Sequence, residues 1–201
     1  QSFCRFRQDR NGHGALQRAL ERAAPALRRR GSLMSNARLP MGPGATPVAL
    51  REITADTVRR IAALAVSPGQ ERFVASNAIS LAEALFHPEA WYRAIYLGAE
   101  PVGFVMLYDE TLRPRLPENP AGTLWRFMID ARFQGRGIGR SALEQVIAHV
   151  RAKGVFSRFV VSYVPGPGCP EKFYLNAGFR HTGQVDGGEI VLELPLEPRA
   201  A

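Results

Sequence analysis

Residues 130–143, DARFQGRGIGRSAL, place three glycines and three arginines within a short stretch: Gly135, Gly137, Gly139, Arg132, Arg136 and Arg140. An apolar run, TLWRFMI, precedes this stretch, and a segment with helical periodicity follows it. Amides exposed by glycine at the start of a helix, together with the helix dipole, bind anions such as phosphate. The sequence therefore predicts an anion site where the apolar strand ends and the helix begins.

The spacing of these glycines excludes two common phosphate-binding motifs. A dinucleotide fingerprint, GxGxxG, would need its third glycine at the position of Arg140. A P-loop counted from Gly135 would need a glycine at that same position, followed by lysine. The pattern that stands here is QxxGxG, formed by Gln134, Gly137 and Gly139.

The elements that must position this motif predict a single α/β domain with the order β-α-α-β-β-β-α-β-α-β-β. Helices are expected at 55–66, within 71–86, and at 139–153 and 169–178; strands are expected at 48–53, 93–98, 101–109, 123–130, 157–164, 179–184 and 188–196. Strands adjacent in sequence pair antiparallel, whereas the helix at 139–153 can join two parallel strands. The expected fold is a mixed, mostly antiparallel sheet with one central βαβ unit and flanking helices.

The positive charge of the chain is concentrated at its start. Residues 1–47 contain nine arginines and two acidic residues, whereas residues 48–201 contain 17 Lys and Arg against 16 Asp and Glu. We expect a basic, disordered tail at 1–47 and the folded domain at 48–196. Two other interpretations of the tail stay open: a natural start near Met34, and an arm for nucleic acid or targeting.

Several function classes find little support in the composition. The two cysteines, Cys4 and Cys169, are far apart and indicate a reducing, cytoplasmic location rather than a disulfide framework or a zinc site. The four histidines show no metal-ligand spacing, so no metal is expected. No apolar run is long enough to cross a bilayer, and no specific nucleic-acid partner is expected.

The QxxGxG motif resembles the pyrophosphate-binding motif of the GNAT superfamily of acetyl-CoA-dependent N-acetyltransferases. The order of elements agrees with that fold, so the resemblance covers about residues 48–196. A second segment, EKFYLNAGF at 171–179, resembles the FYxxxGF helix of the family. The resemblance implies acetyl-CoA as co-substrate, no metal, and a catalytic Tyr174 that protonates the departing sulfur.

The resemblance also implies where the cofactor binds. Backbone groups of Phe127, Met128 and Ile129 would pair with the pantetheine arm and polarise the thioester carbonyl. The pyrophosphate would bind at the helix start, where the implied residues are Gln134, Gly135, Arg136, Gly137, Ile138, Gly139 and Arg140.

The general base is less well defined, because the chain departs from the family pattern. Trp125 and Arg126 stand where some relatives carry a glutamate, and PGPGCP stands where an asparagine is often found. Glu83, in SLAEALF, is the preferred catalytic carboxylate. The alternatives are Asp109, Glu110 and Glu71.

The acceptor is expected to be a small-molecule amine. The segments FVASNAISLAEA and LWRFMIDARFQGRGIG resemble the bacterial spermine/spermidine (diamine) acetyltransferase branch, which implies a polyamine such as spermidine or spermine. Three alternatives stay open: acetylation of another amine (an aminoglycoside, an amino acid or a peptide N-terminus), a non-catalytic acetyl-CoA-binding module, and nucleic-acid binding through the tail. Assembly as a homodimer is also left open.

Overall fold

The computed structural model describes residues 46–197, so the expected tail lies outside the described residues except for its last two. The described strands are β1 (Val48–Arg51), β2 (Ala90–Leu97), β3 (Glu100–Asp109), β4 (Ala121–Ile129), β5 (Arg158–Tyr163), β6 (Arg180–Asp186) and β7 (Glu189–Pro195). The described α-helices are α1 (Val58–Ala62), α2 (Asn77–Ala84), α3 (Ile138–Ala152) and α4 (Glu171–Asn176). Within this part of the chain, no helix is both long and apolar enough to cross a membrane.

The strands form one sheet in the order β1-β2-β3-β4-β5-β7-β6. Each neighbouring pair is antiparallel except β4 with β5, which are parallel. The helix α3 connects these two strands, as a parallel crossover requires. The predicted α/β fold, a mixed and mostly antiparallel sheet with one central βαβ unit, is confirmed.

The sheet separates two layers of helices. On one face, α3 buries residues spaced three or four apart, including Leu143, Val146 and Val150, in a core that also contains Tyr174 of α4. On the other face, Ile61 of α1 packs with buried side chains of β3 and β4, and part of α2 packs against the same cluster. The helix α3 and the two early helices, α1 and α2, therefore lie on opposite sides of the sheet.

The helix α1 is shorter than the predicted 55–66, and it follows Thr57 rather than Thr54. The Thr54 amide donates to the Thr57 hydroxyl at 2.9 Å, which holds these residues in a turn. At the other end, the Ala65 amide donates to the Asp130 carboxylate at 3.1 Å, and the Ala65 carbonyl accepts from the Ala131 amide at 2.8 Å. These tertiary hydrogen bonds use the backbone groups that a longer helix would need.

The boundaries of the strands and later helices also differ from the predicted ones, by up to three residues. Only Asn77–Ala84 is α-helical within 71–86, because Ser76 caps its start by accepting from the Ile79 amide at 3.4 Å. The strand β2 begins at Ala90 rather than at Arg93, and its early residues pair with the end of β3. Neither difference moves the residues of the QxxGxG motif.

Candidate active site

The strands β4 and β5 separate along their length. Their pairing runs from Ala121 opposite Arg158 to Leu124 opposite Val161, although β4 continues to Ile129. We call the space beyond Leu124 the β4–β5 opening. A Cβ atom placed on Gly139, near the start of α3, would lie 3.4 Å from Ile129, so the helix start adjoins the end of β4.

The start of α3 presents backbone amides to an open space. Gly137 precedes the helix with φ of +76° and no side-chain cap, and Gly135 has φ of +73°. A Cβ atom at either glycine would meet nothing within 4 Å. The amides of the first helical turn have no partners inside a helix, so this geometry fits a pyrophosphate.

The three arginines of the motif differ in their surroundings. The Arg132 Nε donates to Asp130 at 2.7 Å, and the Arg140 Nε donates to Glu144 at 3.0 Å. The guanidinium of Arg136 lies 5.4 Å from the centre of the Phe133 ring. Two of the three charges are thus paired with carboxylates, while that of Arg136 stacks on an aromatic ring.

The side chain of Gln134 connects two loops. Its amide nitrogen donates to the Ile129 carbonyl at 2.9 Å and to Gln70 Oε1 at 2.8 Å. Its amide oxygen accepts from the Ser67 hydroxyl at 3.1 Å. The structure therefore uses the Gln134 side chain to hold the segment after α1 beside the phosphate loop.

Asp130 strengthens the same connection. Its carboxylate is 4% exposed and accepts from the amides of Ala65 and Arg132, each at 3.1 Å. Burial alone would raise the pKa of Asp130, but the hydrogen bonds from Arg132 and Ala65 together lower it. An ionised carboxylate thus fixes the end of β4 against the segment after α1.

Tyr174 lies in an aromatic cluster beside β4. The Phe173 ring stacks on Phe127 of β4 with centroids 5.7 Å apart, and Tyr174 meets Phe173 edge-on at 5.2 Å. Tyr174 is 6% exposed, and burial raises the pKa of its phenol. The phenol therefore stays protonated at neutral pH and can donate a hydrogen bond. A Cβ atom placed on Gly139 would lie 3.5 Å from the Phe173 ring, so the fold brings the two sequence motifs together.

The face of β4 that looks towards α2 carries a buried cation. Arg126 lies opposite Met106 of β3, and Leu124 lies opposite Leu107. Trp125, between them, is therefore an extra residue that forms a β-bulge. Arg126 is 8% exposed and donates to Glu83 of α2 at 3.1 Å. Burial lowers the pKa of Arg126, and the charge of Glu83 acts in the opposite direction. Glu83, the preferred carboxylate, therefore reaches β4 as half of an ion pair.

The other candidate carboxylates lie elsewhere. Asp109 pairs with Gly122 at the start of β4, away from the opening, and lies 3.1 Å from the Lys153 ammonium of α3. Glu110 accepts from the Ala121 amide at 2.8 Å, and Glu71 accepts from the Gly69 amide at 2.7 Å. Among residues 46–197, no three His, Cys, Asp or Glu residues are grouped as a metal ion would require.

Sequence reasoning missed one further carboxylate. Glu189 begins β7 and accepts from the Ser162 hydroxyl of β5 at 2.5 Å. The alternation of apolar and polar residues in GEIVLELPL could have predicted its position. Leu192 and Leu194 belong to the α3 core, so Glu189, an odd number of residues away, lies on the opposite face of the strand.

The comparison with protein families gives one match. A model of the Acetyltransferase (GNAT) family matches residues 58–179, which is most of the described domain. The match includes α1, α2, α3, α4 and the β4–β5 opening.

Individual relatives agree with that match. The chain is 29% identical to spermine/spermidine N(1)-acetyltransferase of Bacillus subtilis over 154 residues, which cover 71% of this chain and 95% of the relative. It is 27% identical over 100 residues to L-2,4-diaminobutyric acid acetyltransferase of Streptomyces avermitilis, covering 50% and 52% of the two chains. The crystal structure of the PaiA N-acetyltransferase of Thermoplasma acidophilum, in complex with coenzyme A, has a TM-score of 0.54 and 14% identity, covering 74% and 99%.

Proposed function

Because the chain belongs to the acetyltransferase (GNAT) family, we propose that it transfers an acetyl group from acetyl-CoA to a primary amine of a polyamine such as spermidine or spermine. The observation that carries the choice of acceptor is the similarity to the Bacillus spermine/spermidine enzyme, which extends over 95% of that relative. Acetyl-CoA supplies an activated thioester as the acetyl donor.

The donor would be held mainly by backbone groups. A Cβ atom at Gly135 or Gly137 would meet nothing within 4 Å, which leaves room for the pyrophosphate beside the amides at the start of α3. Phe127 and Met128 lie on β4 beyond its last pairing with β5, where the opening leaves room for the pantetheine arm. The Ile129 carbonyl already accepts from Gln134, so we assign this residue to the wall of the opening.

The acceptor must lose a proton before it can attack. A free alkylamine with a pKa near that of lysine, about 10.4, costs about 4 to 5 kcal/mol to deprotonate at pH 7. Glu83 is proposed as the base that takes this proton from the bound amine, directly or through water, with Arg126 holding the carboxylate in place at 3.1 Å. Tyr174 is proposed to donate its phenolic proton, or a hydrogen bond, to the departing thiolate.

A second candidate function is acetylation of a diamine that also carries a carboxylate. Its support is the buried Arg126, whose Nε has no hydrogen-bond partner among residues 46–197. An unpaired buried donor favours an anionic group on the ligand. The likeness to the Streptomyces diaminobutyric acid enzyme points the same way, although it covers half of each chain.

The test is a turnover screen at saturating acetyl-CoA. The acceptors are spermidine, spermine, 2,4-diaminobutyrate, an aminoglycoside and a peptide with a free N-terminus. We expect the highest kcat/KM with a polyamine. A higher value for 2,4-diaminobutyrate would select the second candidate. Acetyl-CoA binding without turnover of any amine would identify a non-catalytic module.

A further inference from the structure

The proposed acceptor side of the β4–β5 opening needs a net negative charge to attract a cationic amine, and Arg126 and Glu83 alone do not supply it. Arg126 and Glu83 form a pair and cancel, which leaves no net attraction for a cationic acceptor. Glu189 is the next carboxylate close enough to act on this pair, because its charge also raises the pKa of Arg126, against the lowering by burial. Together the three charges leave a net of one negative charge.

Glu189 is also placed on the correct face. Tyr163 and Val161 of β5 pack into the α3 core, so Ser162 between them points to the face that carries Arg126. Ser162 directly follows Val161, the last β5 residue paired with β4, and so stands at the edge of the opening. Its hydroxyl donates to Glu189 at 2.5 Å and directs the carboxylate there.

The position of Glu189 in its hairpin is unfavourable for stability alone. It lies directly opposite Asp186 in the β6–β7 ladder, across a turn of two glycines. Like charges directly opposite each other on two strands are destabilising. A cation bound beside Glu189 would reduce this repulsion.

We propose that Glu189, oriented by Ser162, binds an ammonium group of the acceptor and is the main source of affinity for cationic amines. This assignment rests on the proposed polyamine acetyltransferase function. Loss of the Glu189 charge should weaken acceptor binding, because it removes the net negative charge of the three groups and leaves the Arg126–Glu83 pair intact. Cofactor binding should not change, because the pyrophosphate and pantetheine sites lie on other elements.

The experiment is steady-state kinetics with spermidine varied at saturating acetyl-CoA. We expect Glu189→Gln to raise the KM for spermidine about tenfold or more, with kcat within about twofold. Glu189→Asp should recover part of the loss. Glu193→Gln is the matched control, since Glu193 lies on the same strand and face and pairs with Arg180 at 3.5 Å. Acetyl-CoA affinity, measured by calorimetry, verifies that each variant is folded.

The outcomes separate this inference from the proposed function. Turnover of spermidine by the wild type, with an unchanged KM in Glu189→Gln, would overturn the inference alone. An equal rise in Glu189→Gln and Glu193→Gln would also overturn it, because it would indicate a general effect of surface charge. If Glu189→Gln does not fold, Ser162→Ala keeps the carboxylate and should raise KM by a smaller factor; no rise would again overturn the inference. Failure of the wild type to acetylate any polyamine would overturn the proposed function, and the inference with it.

Discussion

The two sides of the β4–β5 opening are built in different ways. The proposed cofactor side consists of backbone amides at the start of α3, next to Gly135 and Gly137 with positive φ angles. The proposed acceptor side consists of side chains from α2, β4, β5 and β7, which hydrogen bonds in the folded sheet bring into two pairs. A backbone site tolerates changes of most side chains but not of its glycines, whereas a side-chain site can be altered one charge at a time. The two sides should therefore respond to mutation differently.

The largest effect is expected at Tyr174, the residue proposed to donate a proton to the departing thiolate. Tyr174→Phe removes only the hydroxyl, and the ring contacts with Phe173 and Phe179 can be kept. Positioned proton transfer typically contributes about 10²–10⁴-fold, so kcat should fall at least about a hundredfold. The affinity for acetyl-CoA, measured by calorimetry, should stay within about twofold. A wild-type rate in this variant would assign the proton donor to another group or to solvent.

A substitution at Gly137 should damage the cofactor side alone. Gly137→Val puts a β-branched residue at φ of +76°, a conformation that costs about 1–3 kcal/mol, and fills the open space beside the amides. We expect acetyl-CoA affinity to fall at least about tenfold. Gly183→Val is the matched control, because Gly183 has φ of +78° and equally open surroundings on β6. Equal cofactor affinity in the two folded variants would contradict the placement of the pyrophosphate.

The link that Asp130 makes between the end of β4 and the segment after α1 should affect stability more than chemistry. Asp130→Asn keeps the shape of the side chain but weakens the charge-assisted hydrogen bonds from Ala65 and Arg132, each worth about 1.5–3 kcal/mol. We expect the free energy of unfolding at pH 7, measured with urea, to fall by about 1–3 kcal/mol. Asp56→Asn, at an exposed position in the turn before α1, is the control and should change it little.

The same variant gives a pH test. The folded state lowers the pKa of Asp130, so its contribution is fully present above the unfolded value of about 3.9 and is lost as pH falls through the folded pKa. The difference in unfolding free energy between wild type and Asp130→Asn should therefore shrink below about pH 4. A difference that stays constant as the pH falls well below about 4 would show that the carboxylate charge is not what stabilises this link.

The contrast between the two sides also explains what the sequence could predict. The order of strands and helices and the phosphate loop follow from local patterns, because periodicity and glycine spacing are properties of contiguous residues. The early end of α1 could not be predicted, since it depends on hydrogen bonds between Ala65 and residues after β4. The pairs Glu83–Arg126 and Ser162–Glu189 join residues that are 43 and 27 positions apart. No local pattern in the sequence predicts which of these residues come into contact.

The smallest effect is expected from removing the basic segment that precedes the domain. The βαβ unit that carries the QxxGxG motif lies within residues 121–163, whereas residues 1–47 carry nine of the arginines. A chain that begins at Thr46 should keep kcat and both KM values within about twofold at 0.15 M salt, where the Debye length is about 8 Å. At low salt the two KM values should change slightly in opposite directions. Removing positive charge weakens the attraction for anionic acetyl-CoA and raises its KM, and it reduces the repulsion of a cationic amine and lowers the KM of that amine. Steady-state kinetics at two salt concentrations measure both trends. A folded shortened chain that loses most of its activity at 0.15 M salt would show that the early segment contributes to one side of the opening.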